Sequence, residues 1–226
     1  MESLILSIRL ALCVSVILFV IGMPLAYWLA YSHWRGKFLV ESVVALPLVL
    51  PPTVLGFYVL VAMGPRGPLG KLWQAVFGHG LAFTFIGLVF ASVLYSLPFA
   101  VQPLVASLER VDRKLLEASA VLGASRVRTF WRVILPLSVP GVVTALVLSF
   151  AHTLGEFGVV LMVGGNLPGV TRTVSIDIYD HVQSLEYAQA NRMALVLLVF
   201  SFVVLSVVYG VNRRIGRRVW SPWPAK

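Results

Sequence analysis

The ionisable side chains of His152 and Glu156 stand four residues apart in an otherwise apolar run that also holds Ser149 and Thr153. This spacing predicts that both lie on one face of a helix, and ionisable groups in such a run usually face a bundle interior or water. Three roles are open: lining or gating a pathway, binding a metal ion or a proton, and a structural pairing of Glu156 with His152 or Arg172. A metal ion would need more ligands than this pair, so we expect no metal site.

The chain lacks the motifs of common catalytic sites. It has no H-E-x-x-H zinc motif and no G-x-S-x-G nucleophile motif. The run 64–71 looks like a phosphate-binding loop, but Pro65 replaces the first required glycine and Leu72 replaces the Ser or Thr. We therefore expect no catalytic residue and no cofactor. If ATP drives this protein, another chain hydrolyses it.

The composition indicates an integral membrane protein. Of 226 residues, 59% are hydrophobic and 12% charged, and the mean hydropathy is +0.92, which exceeds what a soluble core of this size needs. The net charge of +9 does not indicate nucleic acid, because the basic residues are scattered between apolar runs. The single cysteine, Cys13, excludes an intrachain disulfide and a thiolate metal site.

Five apolar runs are long enough to cross a membrane, which takes about 20 helical residues. They cover residues 4–31, 38–63, 81–104, 137–163 and 193–211. We find no internal repeat and no linker. The sequence therefore predicts an all-α, polytopic membrane protein with about five transmembrane helices and a single domain over residues 1–226.

The basic residues predict the orientation of these spans. Thirteen of the 18 lysines and arginines fall on one side, within 35–37, 110–132 and 213–226. Because cytoplasmic segments carry the excess of Lys and Arg, we expect the N-terminus outside and the C-terminus in the cytoplasm. The outward segment 164–191 carries Asp177, Asp180 and Glu186. It is either a contact for an extracytoplasmic partner or a solvated loop without a dedicated role.

Prolines interrupt the second run. Pro47, Pro51, Pro52 and Gly56 fall within one crossing, and each proline removes a backbone donor and disturbs the preceding turn. Irregular backbone at membrane depth packs inside protein or lines a wet cavity. The alternative is a kinked packing helix without substrate contact. The candidate pathway or gate residues are Pro51, Pro52, Ser149, His152, Thr153 and Glu156.

The polar stretch 107–136 is the segment best suited to a soluble partner. Asp112 predicts a helix N-cap, Gly123 the left-handed residue that ends this helix, and Ser125 the cap of a second helix. Pro136 predicts the start of a new segment, because its ring blocks the preceding helix. The pattern predicts a helix, a glycine corner and a helix. An amphipathic loop lying on the membrane surface is the alternative.

The spacing within this stretch resembles the EAA loop, by which the membrane subunits of ABC importers dock onto an ATP-hydrolysing subunit. Ser119 replaces the second alanine of the commonest pattern, and Val133 replaces its isoleucine. The resemblance implies a type I ABC importer permease fold with a cytoplasmic coupling helix. The coupling residues that it implies are Glu117, Ala118, Ser119, Gly123, Leu135 and Pro136.

Over nearly its full length the chain is similar to the permease subunits of molybdate ABC importers. The run LPLVLPPTVLGFYVL at 46–60 resembles the molybdate branch, and LGEFGVVLMVGGNLPGVTRT at 154–173 resembles both sulfate and molybdate permeases. The resemblance implies a non-catalytic, multi-pass subunit of the bacterial inner membrane. Its implied partners are a second copy of the chain, two ABC ATP-binding subunits and an extracytoplasmic molybdate-binding protein, besides membrane lipid.

Two alternatives remain open at this point. Sulfate or tungstate is the alternative cargo. A proton-coupled secondary transporter or channel that uses His152 and Glu156 is the rival from a different class. A membrane-embedded enzyme is disfavoured because the nucleophile and metal motifs are absent.

Overall fold

The computed structural model describes the backbone of residues 2–219 and the side chains of residues 2–210. This part is helical and contains no strand. Of the basic residues used to predict the orientation, Lys226 lies outside it, and the side chains of 213–218 are not described. The α-helices are α1 (Glu2–Tyr31), α2 (Lys37–Val49), α3 (Pro52–Met63), α4 (Pro68–Phe77), α5 (Phe85–Glu109), α6 (Arg113–Val121), α7 (Arg126–Thr129), α8 (Leu135–Gly155), α9 (Gly158–Gly164), α10 (Val174–Gln183) and α11 (Tyr187–Val219).

The long helices α1 and α5 lie side by side and run in the same direction. Leu10 at the start of α1 belongs to the same core cluster as Leu88 at the start of α5. At their other ends Leu29 packs with Leu108, and the Tyr31 hydroxyl donates to the Leu108 carbonyl over 2.9 Å. We call the end of the bundle that bears residues 107–136 the loop end, and the opposite end the far end.

The chain must return from the loop end to the far end between α1 and α5, and the pair α2 and α3 makes this return. Lys37 Nζ donates to the Leu29 carbonyl at the loop end, and Met63 packs against Gly87 near the start of α5. The two helices are bent by 112° at Leu50 and Pro51. The predicted interruption of the second span is therefore confirmed.

The fourth span is also broken, which the sequence reading of a continuous run over 137–163 did not anticipate. Helix α8 runs from the loop end and stops at Gly155, and the short helix α9 continues to Gly164 at the far end. The Phe83 N–H donates to the Val163 carbonyl there. Helix α11 then starts beside the N-terminal part of α1 and returns toward the loop end. The described chain thus makes five legs of alternating direction, with its two ends at opposite ends of the bundle.

Small residues allow the central helices to approach closely. A side chain at Gly22 of α1 would contact Ala100 and Val101 of α5, and Gly141 of α8 lies directly against Ser107 of α5. In a membrane the association of helices depends on such close packing, because lipid tails are as apolar as the side chains. The outer faces of α1, α2, α3 and α11 expose large apolar side chains, as a surface in contact with lipid or with other subunits does.

Candidate functional site: the loop at 107–136 and the two broken spans

The loop at the loop end has the predicted helix, glycine corner and helix. The Asp112 side chain accepts a hydrogen bond from the Lys114 N–H at the start of α6, and the Ser125 side chain accepts one from the Arg128 N–H at the start of α7. Between them Gly123 adopts a φ of 72°. The Gly123 N–H donates to the Ala120 carbonyl and the Ala124 N–H to the Ser119 carbonyl, which is the Schellman arrangement that ends helices.

Side-chain contacts hold the two arms of this corner together. The hydroxyls of Ser119 and Thr129 are hydrogen-bonded at 2.7 Å, and Ser119 is the buried residue of α6. The ring of Phe130 packs edge-on against Tyr27 of α1, with ring centroids 5.6 Å apart. Leu116 of α6 also packs against the core cluster that contains Leu29 and Leu108, so both arms of the loop contact the bundle.

The expected start of a new segment at Pro136 is wrong. Residues from Arg126 to Gly155 form one continuous helical span, in which Phe130–Ile134 widen into a π turn. The Leu135 N–H donates to the Phe130 carbonyl, five residues back. A wider turn directly before a proline accommodates its ring and its missing N–H, so the helix passes through Pro136 without ending.

The loop exposes an apolar tip surrounded by charge. Val121 and Leu122 are 87% and 85% exposed, and Glu117 and Ala118 are exposed on the same short helix. Within the described residues none of the six basic side chains of 110–132 takes part in an ion pair. Exposed apolar residues bordered by unpaired charges are suited to burial against another protein.

The breaks of the second and fourth spans meet inside the bundle. A side chain at Gly158, the first residue of α9, would lie 2.7 Å from Cβ of Pro52, the first residue of α3. One turn later a side chain at Gly56 would lie 2.9 Å from Cβ of Met162. The half-helices α3 and α9 therefore start at one level and run together toward the far end. Of the predicted pathway residues, the structure brings Pro52 to this junction, with Pro51 at the preceding N-cap position.

The helix predicted to carry both His152 and Glu156 ends at Gly155, one residue before Glu156. Glu156 is the C-cap residue, and its ψ of 136° turns the chain out of the helical path after Glu156. The Glu156 carboxylate is buried, at 5% exposure, and has no hydrogen bond within the described residues. The Ser92 hydroxyl lies near it, but without the geometry of a hydrogen bond.

His152 instead belongs to a polar contact between α5 and α8. Its Nδ1 lies 2.9 Å from the Ser96 hydroxyl, which is also 2.9 Å from the Thr153 hydroxyl, and its ring stacks on Phe99 with centroids 3.9 Å apart. Ser149 is buried and donates to the Ala145 carbonyl of its own helix. The contact with Ser96 required knowledge of which helices are neighbours, so the sequence reading missed it.

Arg172 does not pair with Glu156, contrary to one of the structural alternatives. It lies at the far end, where its guanidinium is 3.3 Å from Asp180 and 3.9 Å from Asp177. Arg172 Nε also donates to the Asn166 side chain over 2.6 Å. Two of the three acidic groups of the outward segment are therefore partly neutralised by a neighbouring arginine.

The far-end segment is attached to the start of the chain by two further bonds. The Ser3 hydroxyl donates to Asp177 over 2.6 Å, and the Val174 N–H donates to the Ser7 hydroxyl over 2.8 Å. No group of three or more His, Cys, Asp or Glu that could hold a metal ion occurs among the described residues.

Residues 22–221 match the profile of a family described as "Binding-protein-dependent transport system inner membrane component". The chain belongs to this family. It is therefore a permease subunit of the ABC importer class.

Two relatives of this permease cover nearly the whole chain. It is 53% identical over 208 residues to the "Molybdenum transport system permease protein ModB" of Azotobacter vinelandii, covering 92% of each chain. It is 37% identical over 218 residues to the protein of the same name from Haemophilus influenzae, covering 94% of this chain and 95% of the relative.

The permease fold is also found among solved structures. A chain of a bacterial ABC transporter involved in the import of the acidic polysaccharide alginate superposes with a TM-score of 0.75, at 20% identity, over 95% of this permease and 80% of that chain. At this identity the likeness concerns the fold. The predicted all-α fold of a type I importer permease is thus confirmed.

Proposed function

We propose that this permease is the membrane-spanning subunit of an ATP-driven molybdate importer, and that residues 107–136 couple it to a separate ATP-hydrolysing subunit. The observation that carries the proposal is the exposed loop, with its Schellman corner at Gly123, in a chain of the importer permease family. In this proposal Glu117 and Ala118 on α6 contact the ATP-hydrolysing subunit. Ser119 and Gly123 set its shape, and Leu135 and Pro136 join it to α8.

The choice of molybdate is supported by the names of two relatives that cover nearly the whole chain. Tungstate and sulfate are the alternative cargoes, because both are tetrahedral oxyanions of the same charge. In this proposal an extracytoplasmic binding protein selects the anion, and the permease provides the path.

The assembly that we propose is a homodimer of the permease with two ATP-binding subunits at the loop end. The N-terminus then lies outside and the loop and C-terminus lie in the cytoplasm, as the excess of basic residues requires. The binding protein meets the far end. There Arg172 is bonded to Asp180 and the His181 ring lies 2.7 Å from Glu186, so these side-chain contacts order the surface presented to it.

The path itself is assigned to the junction of the two broken spans. Pro51, Pro52, Ser149, His152, Thr153 and Glu156 stay the candidate pathway or gate residues. Gly155 is exposed and a side chain there would meet nothing within 4 Å, which makes the end of α8 the open side of this junction. Alternating access would move α3 and α9, which pack together, as one unit against α5 and α8.

A proton-coupled carrier is the second candidate function, and the buried Glu156 carboxylate without a hydrogen bond is the observation that favours it. A buried ionisable group without a partner is a common feature of proton pathways. In that case the anion would move without any nucleotide-hydrolysing subunit.

Uptake by proteoliposomes distinguishes the candidates. The permease is reconstituted with an ABC ATPase subunit and a molybdate-binding protein from the same organism, and radiolabelled molybdate and sulfate are supplied in parallel. We expect molybdate uptake that requires ATP, the binding protein and the ATPase subunit together. Uptake driven by a proton gradient in vesicles with the permease alone would favour the carrier, and preference for sulfate would change the cargo.

A further inference from the structure

The described structure has a groove of about 500 Å³ at the loop end, between the end of α1 and both arms of the loop. Its α1 wall is formed by Tyr27, Trp28, Tyr31 and Ser32. Its loop wall is formed by Leu116, Ala120, Ala124, Arg126, Thr129 and Ile134. The coupling role proposed for the loop assigns no ligand to this groove.

The depth of the groove in the membrane follows from three exposed tryptophans. Trp28 and Trp34 have ring centroids 5.9 Å apart at the end of α1, and Trp131 is exposed on the π turn that follows α7. Tryptophans gather where acyl chains meet headgroups. Since Trp28 also forms part of the groove wall, the groove opens at the level of the lipid headgroups.

The chemistry of the walls is that of an anionic headgroup site. Arg126 has no ion pair among the described residues and is the cation of the groove. Ser32 adds a hydroxyl, as does Thr129, whose hydroxyl is also bonded to Ser119, and the rings of Tyr27 and Trp28 add apolar surface for the first carbons of the acyl chains. An arginine that projects into such a mixed pocket is suited to a phosphodiester, which it can bind through two parallel hydrogen bonds.

A second recess adjoins the groove and continues the positive charge. It shares Tyr31 and Ser32 with the groove and is lined on its other side by Lys37 and Arg113. Glu109 also lines it, while Lys37 is within 3.5 Å of Glu41. Arg113, which like Arg126 has no ion pair among the described residues, therefore adds positive charge beside the groove, although Glu109 in the same recess offsets part of it.

We propose that this groove binds the headgroup of an anionic phospholipid, held by Arg126 and seated between α1 and the loop. The lipid then connects the membrane to the loop arm that holds the coupling corner. The inference is independent of the cargo and of ATP coupling, because it concerns binding that is measurable without transport.

Native mass spectrometry of the full-length protein, extracted in mild detergent with the subunits that copurify, tests the proposal. Phosphatidylglycerol and phosphatidylcholine of equal chain length are titrated in. We expect phosphatidylglycerol to bind about tenfold more tightly, and Arg126→Gln to remove most of that preference. Arg128→Gln is the matched control, because Arg128 is an exposed arginine of the same arm that does not line the groove. This variant should keep the preference for phosphatidylglycerol. Inorganic phosphate at millimolar concentration does not displace the lipid.

Equal affinity for the two lipids, an unchanged preference in Arg126→Gln, or an equal loss in both variants would overturn the proposal. Displacement by inorganic phosphate would assign the groove to a free anion instead. A photoreactive benzoylphenylalanine placed at Ala120, which lines the groove, identifies the occupant directly. We expect an adduct with the mass of a phospholipid, whereas an adduct with another protein chain would overturn the proposal.

Discussion

At the residue scale, the loop depends on a few local hydrogen bonds that each involve a residue of special type. Asp112 and Ser125 cap the two helices, and Gly123 supplies the left-handed corner between them. These features could be predicted from the sequence because each cap bond joins residues two or three positions apart. The Ser119–Thr129 bond could not, since it depends on how the corner folds the two arms together.

Gly123→Ala tests the corner. A left-handed conformation costs a residue with a side chain about 1–2 kcal/mol, so the corner should open more often in this variant. We therefore expect trypsin to cleave the loop after Arg126 roughly fivefold faster or more. Gly78→Ala is a matched control, because Gly78 has a φ of 75° against 72° for Gly123 and a side chain at either position would meet nothing within 4 Å. Gly78→Ala should leave cleavage of the loop unchanged. Equal cleavage rates in the wild type and Gly123→Ala would contradict the structural role of this corner.

At the element scale, the pairing of two broken spans is the feature that positions the candidate pathway. The prolines indicated the break between α2 and α3, because proline disrupts a helix for covalent reasons. The break after Gly155 carries no proline, so the apolar run 137–163 reads as one continuous span although the structure has two helices there, α8 and α9. At this break α9 starts where Gly158 meets Pro52, a contact between two spans that no local pattern indicates.

Gly158→Ala tests this packing. The added methyl group would approach Cβ of Pro52 to 2.7 Å, and overpacking of this kind costs about 1–3 kcal/mol. We expect a lower thermal unfolding temperature in detergent. The control is Gly155→Ala, three residues earlier, where the methyl group would meet nothing within 4 Å. If both variants unfold at the same temperature as the wild type, α3 and α9 are not closely packed.

At the scale of the whole molecule, five legs of alternating direction place the loop at one end and the Arg172 cluster at the other. The number of legs could be predicted from hydropathy and length. The parallel packing of α1 against α5 could not be predicted in this way, because helix faces that contact protein and faces that contact lipid are equally apolar. The Arg172 cluster joins residues of three separate segments, including Ser3, and no local pattern marks it.

Labelling in intact cells tests the orientation. In a Cys13→Ser background, Ser184→Cys places a thiol after α10 at the far end, and Arg110→Cys places one at the start of the loop. Both positions are exposed. We expect a membrane-impermeant maleimide to label the first in intact cells and the second only after permeabilisation. The reverse pattern would show that the orientation in the membrane is opposite to the proposed one, with the loop on the side away from cytoplasmic ATP.

Copurification of the ATP-binding subunit with Glu117→Arg tests the central claim most directly. Glu117 is exposed on α6, beside the apolar tip at Val121 and Leu122. Reversing its charge should lower the amount of ATPase subunit retained by about tenfold or more, equivalent to roughly 1.4 kcal/mol, while membrane insertion is unchanged. Glu186→Arg makes the same charge change at an exposed position of the far end, outside residues 107–136, and should retain the subunit. Wild-type retention in Glu117→Arg, or equal loss in both variants, would contradict docking through the loop.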